Sequence, residues 1–201
     1  MAGSGGRGMA ARDERVADGE RAVLGRRCFL GLGGGALAAA ALLGPADALA
    51  AIRAPARELS LLNTHTGERL KAEYWVKGRY VKDALAEINE ILRDHRTDER
   101  HPIDRDLLDL VHLLHARVSR REPFHIISGY RSPATNAMLA GRSNGVARNS
   151  YHMRGMAIDL RMPGVGTRDL YRTALRLRGG GVGYYPDSGF VHIDVGPIRS
   201  W

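Results

Sequence analysis

Hydrophobic and polar positions change rhythm several times along the chain. Residues 29–43, Phe-Leu-Gly-Leu-Gly-Gly-Gly-Ala-Leu-Ala-Ala-Ala-Ala-Leu-Leu, run for 15 positions without a charge. Further on, Glu58–Asn63 and Leu70–Val76 read as two short strands around a polar turn at Thr64–Glu68. Val81, Leu85, Ile88 and Leu92 recur at helical spacing, which predicts an amphipathic helix over Val81–His95. Leu107, Leu108, Val111, Leu114 and Val118 form a second helical stripe, from Asp104 to about Arg120, with Pro102 and Asp104 marking its start.

After Pro123 the elements shorten. Phe124-His125-Ile126-Ile127 predicts a strand ended by Ser128-Gly129. Ser132-Pro133 has the form of an N-cap with Pro at the first helical position, opening a short helix to about Ala140. Gly141–Ser150 is a polar loop, Met156–Arg161 a strand and Gly164–Gly166 a turn. Thr167–Arg178 predicts another helix, closed by Gly179-Gly180-Gly181. Val182–Tyr185 and Phe190–Val195 predict a final hairpin through Pro186–Gly189. Helices concentrate early and antiparallel-looking strands late, so the expected class is α+β. The expected architecture is one domain, with a small antiparallel sheet carrying the functional site and helices packed on its other face.

The uncharged stretch changes the domain count. It is shorter than the roughly 20 apolar residues a spanning helix needs. Gly31, Gly33, Gly34 and Gly35 would each cost about 1 kcal/mol inside a buried helix. An Arg-bearing polar segment precedes it, and Pro45 with the small residues Ala46–Ala51 follows. That is the order of an export signal. Arg26-Arg27-Cys28-Phe29-Leu30 resembles the twin-arginine signature, an address read by the twin-arginine translocase. Cleavage after Ala48 or Ala50 fits the small-residue pattern. The expected organisation is therefore a signal at 1–50 and one domain at 51–201.

Charge and cysteine then narrow the chemistry. The 201 residues carry a net charge of +8, of which residues 1–50 hold only +1. A basic exported domain favours anionic partners such as a cell-wall polymer. The basic residues are dispersed and no nucleic-acid-binding motif is present, so nucleic acid is not an expected partner. The single Cys, Cys28, excludes a disulfide framework and any Cys-rich zinc module. A metal site must use His and carboxylates.

Strand alternation supplies one such group. Along Met156–Arg161, Ile158 and Leu160 share one face, while Ala157, Asp159 and Arg161 share the other. Along the last strand Val191, Ile193 and Val195 share one face, and Phe190, His192 and Asp194 the other. Asp159 and His192 can thus project from the open face of one sheet, and His152, just before its strand, can fold over the same spot. Two His and one Asp make a three-ligand zinc site with an open fourth position. Zn²⁺ held this way keeps a formal charge of +1 and makes a water nucleophilic near neutral pH.

The pattern Ser-x-His-x-x-Gly-x-Ala-x-Asp, Ser150 to Asp159, resembles the signature of the zinc peptidases that include the D-Ala-D-Ala carboxypeptidases and the hedgehog signalling domain. Ser128-Gly129-Tyr130-Arg131-Ser132 and Val191-His192-Ile193-Asp194 are also similar to family features. Leu59–Glu68, Gly180–Pro186 and the closing Arg199-Ser200-Trp201 look like the YcbK-like murein endopeptidases of that superfamily. The resemblance runs from about Arg57 to Trp201. It implies that His152, Asp159 and His192 bind Zn²⁺. It implies that Arg131 reaches into the cleft, near the polarised carbonyl oxygen or a substrate carboxylate. Many relatives carry a general base three residues before the last ligand, a position held here by Gly189. Asp194 and Asp187 are the nearby acids. Asp194 shares the His192 face and is preferred as the base; the alternatives are that Asp194 orients a ligand imidazole and that Asp187 only shapes its turn.

His112 and His115 lie on the second helix without the Glu of an H-E-x-x-H pattern and are expected on its surface. His65 and His125 could border the cleft, and Ser150 and Tyr151 could line it. Tyr130 and Tyr184 are expected to pack. The resemblance implies a periplasmic or wall-associated zinc peptidase that cuts amide bonds in peptidoglycan stem peptides or cross-links. A D-Ala-D-Ala carboxypeptidase, an amidase and a non-catalytic wall-binding module are the alternatives, and Gly189 favours the last.

Overall fold

In the computed structural model, residues 55–118, 121–142 and 146–201 are described. The expected signal at 1–50 and the expected end of the second helix at 119–120 lie outside them. Among the described residues four helices and eight strands follow in the order β1 (Arg57–Asn63), β2 (Arg69–Val76), β3 (Arg79–Tyr80), α1 (Lys82–Ile91), α2 (Arg105–Val118), β4 (Phe124–Ser128), α3 (Pro133–Arg142), β5 (Ala157–Arg161), α4 (Thr167–Leu177), β6 (Gly181–Tyr185), β7 (Phe190–Asp194) and β8 (Arg199–Ser200). A short 3₁₀ turn, Tyr151–Arg154, precedes β5.

The α+β class holds, but the sheet is neither small nor purely antiparallel. All eight strands form one sheet in the order β3-β2-β1-β4-β5-β7-β6-β8. β1 pairs with β4, and β6 with β8, in parallel. Both edge strands have two residues, too few to show alternation in the sequence. The parallel partner of β1 arrives only after β2, β3, α1 and α2, so no local pattern announces it. This long crossover is what parallel pairing requires.

One sheet face carries the core. Leu59 and Leu61 of β1, Phe124 and Ile126 of β4, Ile158 and Leu160 of β5, and Val191 and Ile193 of β7 are at most 2% exposed. They pack in one cluster with Ile88 and Ile91 of α1, Leu107, Leu108, Val111 and Leu114 of α2, and Leu170 and Ala174 of α4. No residue of α3 belongs to that cluster. The alternation read along β5 and β7 is therefore correct. Their core-facing residues fill this face, and Asp159, His192 and Asp194 occupy the other.

α1 ends at Ile91, short of the expected His95. Asp94 is the reason: its buried carboxylate accepts from the backbone N–H of Arg96 at 2.9 Å and of Ser132 at 2.8 Å. The N–H of Tyr130 also donates to the Leu92 carbonyl at 2.8 Å. The chain after α1 is thus spent on holding the β4–α3 loop, which carries Arg131.

Candidate functional site

The register sets the site. Asp159 on β5 pairs with His192 on β7, and Ala157 pairs with Asp194. His152 comes from the 3₁₀ turn, where the Ser150 side chain caps by accepting from the His152 N–H at 3.3 Å. His152 Nδ1–H donates to the Gly129 carbonyl at 2.7 Å, which leaves the Nε2 lone pair facing the cleft. A Cβ on Gly129 would meet the Leu92 carbonyl oxygen at 2.5 Å, so only glycine lets this loop approach α1 closely enough.

Three donor atoms converge. His152 Nε2 lies 3.2 Å from His192 Nδ1 and 3.3 Å from Asp159 Oδ1, and His192 Nδ1 lies 2.8 Å from Asp159 Oδ1. Ligands on a tetrahedral zinc at about 2.0–2.1 Å stand about 3.3 Å apart. The triangle is close to that size, and its shortest edge is also the length of a hydrogen bond from His192 Nδ1–H to Asp159 Oδ1. Two neutral imidazoles and a carboxylate form a hard-to-borderline donor set suited to Zn²⁺. Among the described residues this is the one His, Cys, Asp or Glu group of three able to hold a metal ion.

Burial disfavours charge on Asp159, but His152 and His192 outweigh it and hold the carboxyl well below the usual carboxylate range. Burial likewise works against protonated His192. Its hydrogen bonds to Asp159 and Asp194 prevail and raise it from 6.5 to about 8. A raised folded-state value gives stability that is full below about pH 6.5 and lost as pH rises through about 8. The melting temperature of chelator-treated protein is expected to fall between pH 6 and pH 9 through this contribution. Zinc held by the trio would keep His192 deprotonated, so a sample with added zinc is expected to lack it. Matching profiles for the two samples would contradict this.

Asp194 lies behind His192 and is fully buried. Its Oδ2 accepts from His192 Nε2–H at 3.0 Å and from Arg199 at 2.6 Å, and its Oδ1 accepts from Arg199, Gly196 N–H and Gly181 N–H. Both oxygens are occupied. Burial opposes its charge, yet His192, Arg199 and Gly196 hold it well below the usual carboxylate range. Asp187 is exposed on the β6–β7 turn and is not part of the cleft lining. Gly189 closes that turn at a φ of +68°, which explains glycine where relatives by resemblance carry an acid.

The group lies at a cleft of about 380 Å³. Arg131, Tyr151, Tyr185, Phe190, Arg199 and Trp201 contribute to its walls, and among its described lining residues Asp159 is the one carboxylate. Arg131 is mostly buried and held only by long contacts: 3.4 Å to Ser128 Oγ, 3.4 Å to Asn136 Oδ1 and 3.5 Å to Asp159 Oδ2. Its Nε has no partner, among the described residues the one such buried side-chain atom. Burial lowers its pKa below the ordinary arginine value, with Asp159 acting in the opposite sense.

Other expectations sort cleanly. His112 and His115 bind the carbonyls of Glu58 and Glu122 on the helix surface. His65 stacks on His95, and neither His65 nor His125 lines the cleft. Tyr130 stacks on His101, and Tyr184 leans on Tyr171. Sequence reasoning gave no role to Arg199 or Trp201. Their spacing of two in an extended segment was the available signal, since it puts both on one face.

The motifs implied a murein endopeptidase of the superfamily that includes the D-Ala-D-Ala carboxypeptidases, and the comparisons with known proteins agree. The family model described as peptidoglycan L,D-endopeptidase MepK matches residues 51–201, and the chain belongs to that family. It is 46% identical over 176 residues to the peptidoglycan L,D-endopeptidase MepK of Escherichia coli K12, covering 88% of this chain and 96% of the relative. It is 40% identical over 178 residues to the probable peptidoglycan L,D-endopeptidase MepK of Haemophilus influenzae, covering 88% and 95%.

Proposed function

We propose that the chain is an exported, zinc-dependent peptidase that hydrolyses L,D-amide bonds in peptidoglycan cross-links. The observation that carries the reading is the triangle of His152 Nε2, Asp159 Oδ1 and His192 Nδ1 at the cleft, with edges of 2.8–3.3 Å. These three residues would hold Zn²⁺. The ion would supply Lewis-acid polarisation of the scissile carbonyl and a water nucleophilic near neutral pH.

The chain's own groups do the rest. Gly129 and Asp194 each take one imidazole N–H and so fix which nitrogen of His152 and of His192 faces the cleft. Arg131 presents an unsatisfied N–H edge to charge that develops on the carbonyl oxygen. Asp194 has no oxygen free for a substrate proton. Of the two acids only Asp187 is open to solvent, on the turn beside Ser188 of the cleft wall but outside the lining itself. Residues 1–50 serve as a twin-arginine export signal, which places the domain with peptidoglycan in the periplasm or at the wall.

Mass spectrometry of muropeptides incubated with the enzyme, with and without chelator, tests the reading. Expected are uncross-linked products from L,D-linked dimers, abolished by chelator and restored by zinc. Release of terminal D-Ala alone would point to a carboxypeptidase, and retention on sacculi without products to a binding module.

A further inference from the structure

The segment after β7 turns back along the sheet and adds β8 beside β6. Its two long side chains both reach the rear of the site. The Arg199 guanidinium meets the Asp194 carboxylate as a fork, Nη1 to Oδ1 at 3.0 Å and Nη2 to Oδ2 at 2.6 Å. The same Oδ2 accepts His192 Nε2–H at 3.0 Å. The Arg199 guanidinium also lies over two rings, 5.2 Å from the Tyr151 ring centre and 5.0 Å from that of Trp201. Trp201 lies 5.3 Å from the His192 ring and donates Nε1–H to the Tyr185 hydroxyl at 2.9 Å.

The backbone beneath this stack is bare. A Cβ on Gly181 would meet Arg199 Nη1 and Asp194 Oδ2, each at 2.5 Å. One on Gly183 would meet the Trp201 ring at 2.8 Å, and one on Gly196 the Tyr151 ring at 2.6 Å. Glycine at each of these places leaves the room that the fork and its two flanking rings occupy.

We propose that Arg199 is a positioning residue of the site: its guanidinium fixes the Asp194 carboxylate against His192 Nε2–H and so sets the ring whose Nδ1 faces His152 and Asp159. The physical argument has three parts. A bidentate guanidinium–carboxylate pair fixes direction as well as charge. Asp194 is fully buried behind Arg199, so Arg199→Ala removes its charged partner and lets solvent reach a carboxylate that was dry. Gly181 N–H and Gly196 N–H still hold Oδ1, so the loss falls on Oδ2, the oxygen that directs His192 Nε2–H, and it is felt at the opposite ring nitrogen. The flanking rings hold the guanidinium plane, a task a lysine ammonium cannot share. The consequence for metal binding rests on the reading that the trio holds zinc.

The test compares the full chain with Arg199→Ala, Arg199→Lys and Gly181→Ala. Zinc affinity is measured by competition with a chromophoric chelator, kcat and KM on cross-linked muropeptides, and the His192 ring tautomer by ¹⁵N chemical shift in metal-free protein at alkaline pH. For Arg199→Ala the expected result is about a 10–100-fold loss of zinc affinity. A matching fall in kcat, a KM within about twofold and a mixed His192 tautomer accompany it. Arg199→Lys is expected to fall between Ala and wild type, and Gly181→Ala to behave like Arg199→Ala. Wild-type zinc affinity and a single tautomer in Arg199→Ala overturn the proposal, whatever happens to the melting temperature. A wild-type chain that binds no zinc overturns the functional reading instead. The tautomer comparison then still decides whether Arg199 sets His192.

Discussion

His152→Ala is expected to remove zinc from the protein and to abolish muropeptide cleavage. His152 supplies one of three converging donors, and its Nδ1–H is the partner of the Gly129 carbonyl. Loss of an outer partner of a metal ligand costs about 10–100-fold in affinity, so loss of the ligand itself is expected to exceed about 100-fold. His192 and Asp159 alone leave two open coordination positions and a weaker site. His152 is buried, at 2% exposure, so truncation also opens a cavity. His152→Gln fills most of that volume without restoring an imidazole and controls for the packing loss. Zinc content after dialysis and product analysis check both variants. Stoichiometric zinc and wild-type cleavage in either would remove His152 from the site.

The residues of this site were legible in the sequence because a strand's alternation is a local property. Ile158 and Leu160 mark the buried face of β5, which leaves Asp159 for the other, and Val191 and Ile193 do the same for His192. That the two residues face one another at one register position is not local, since they stand 33 positions apart in the chain. Alternation allowed them to share one open face, and the register that pairs them comes from the structure. His152 was harder still. Nothing in its neighbourhood predicts a 3₁₀ turn, and the acceptor that sets its tautomer, the Gly129 carbonyl, belongs to a different loop.

What stayed hidden depends on pairings between distant segments. β8 has two residues and hydrogen-bonds in parallel to β6, so neither length nor alternation exposes it. Asp194 shows how face and function separate. It shares the face of His192, as alternation requires, yet it is fully buried because Arg199, Gly181 and Gly196 close over it. A carboxylate on the functional face was read as a candidate base or as a partner of an imidazole, and the return of the chain after β7 occupies both its oxygens with His192, Arg199, Gly181 and Gly196. Gly189 is the complementary case: the tight β6–β7 turn needs a positive φ at that position.

Arg131 carries the second large effect. Its guanidinium is mostly buried, its Nε has no partner, and its nearest charge, Asp159 Oδ2, lies 3.5 Å away. A cation desolvated at this depth without a close partner is costly, and an anionic or polarised oxygen in the cleft would offset that cost. The proximity to Asp159 puts the guanidinium beside the trio of His152, Asp159 and His192, where on the proposed reading negative charge would develop on the scissile carbonyl oxygen. Arg131→Ala is therefore expected to lower kcat by about 10²–10³-fold, as removal of an oxyanion donor does. KM and zinc affinity are expected to change far less. Arg131→Lys is expected to recover little, because an ammonium cannot present two N–H groups in one plane. Steady-state kinetics on a defined cross-linked muropeptide, with zinc content measured in parallel, check this. A rise in KM at unchanged kcat would instead assign Arg131 to a substrate carboxylate, since interactions made equally in ground and transition states appear in KM alone.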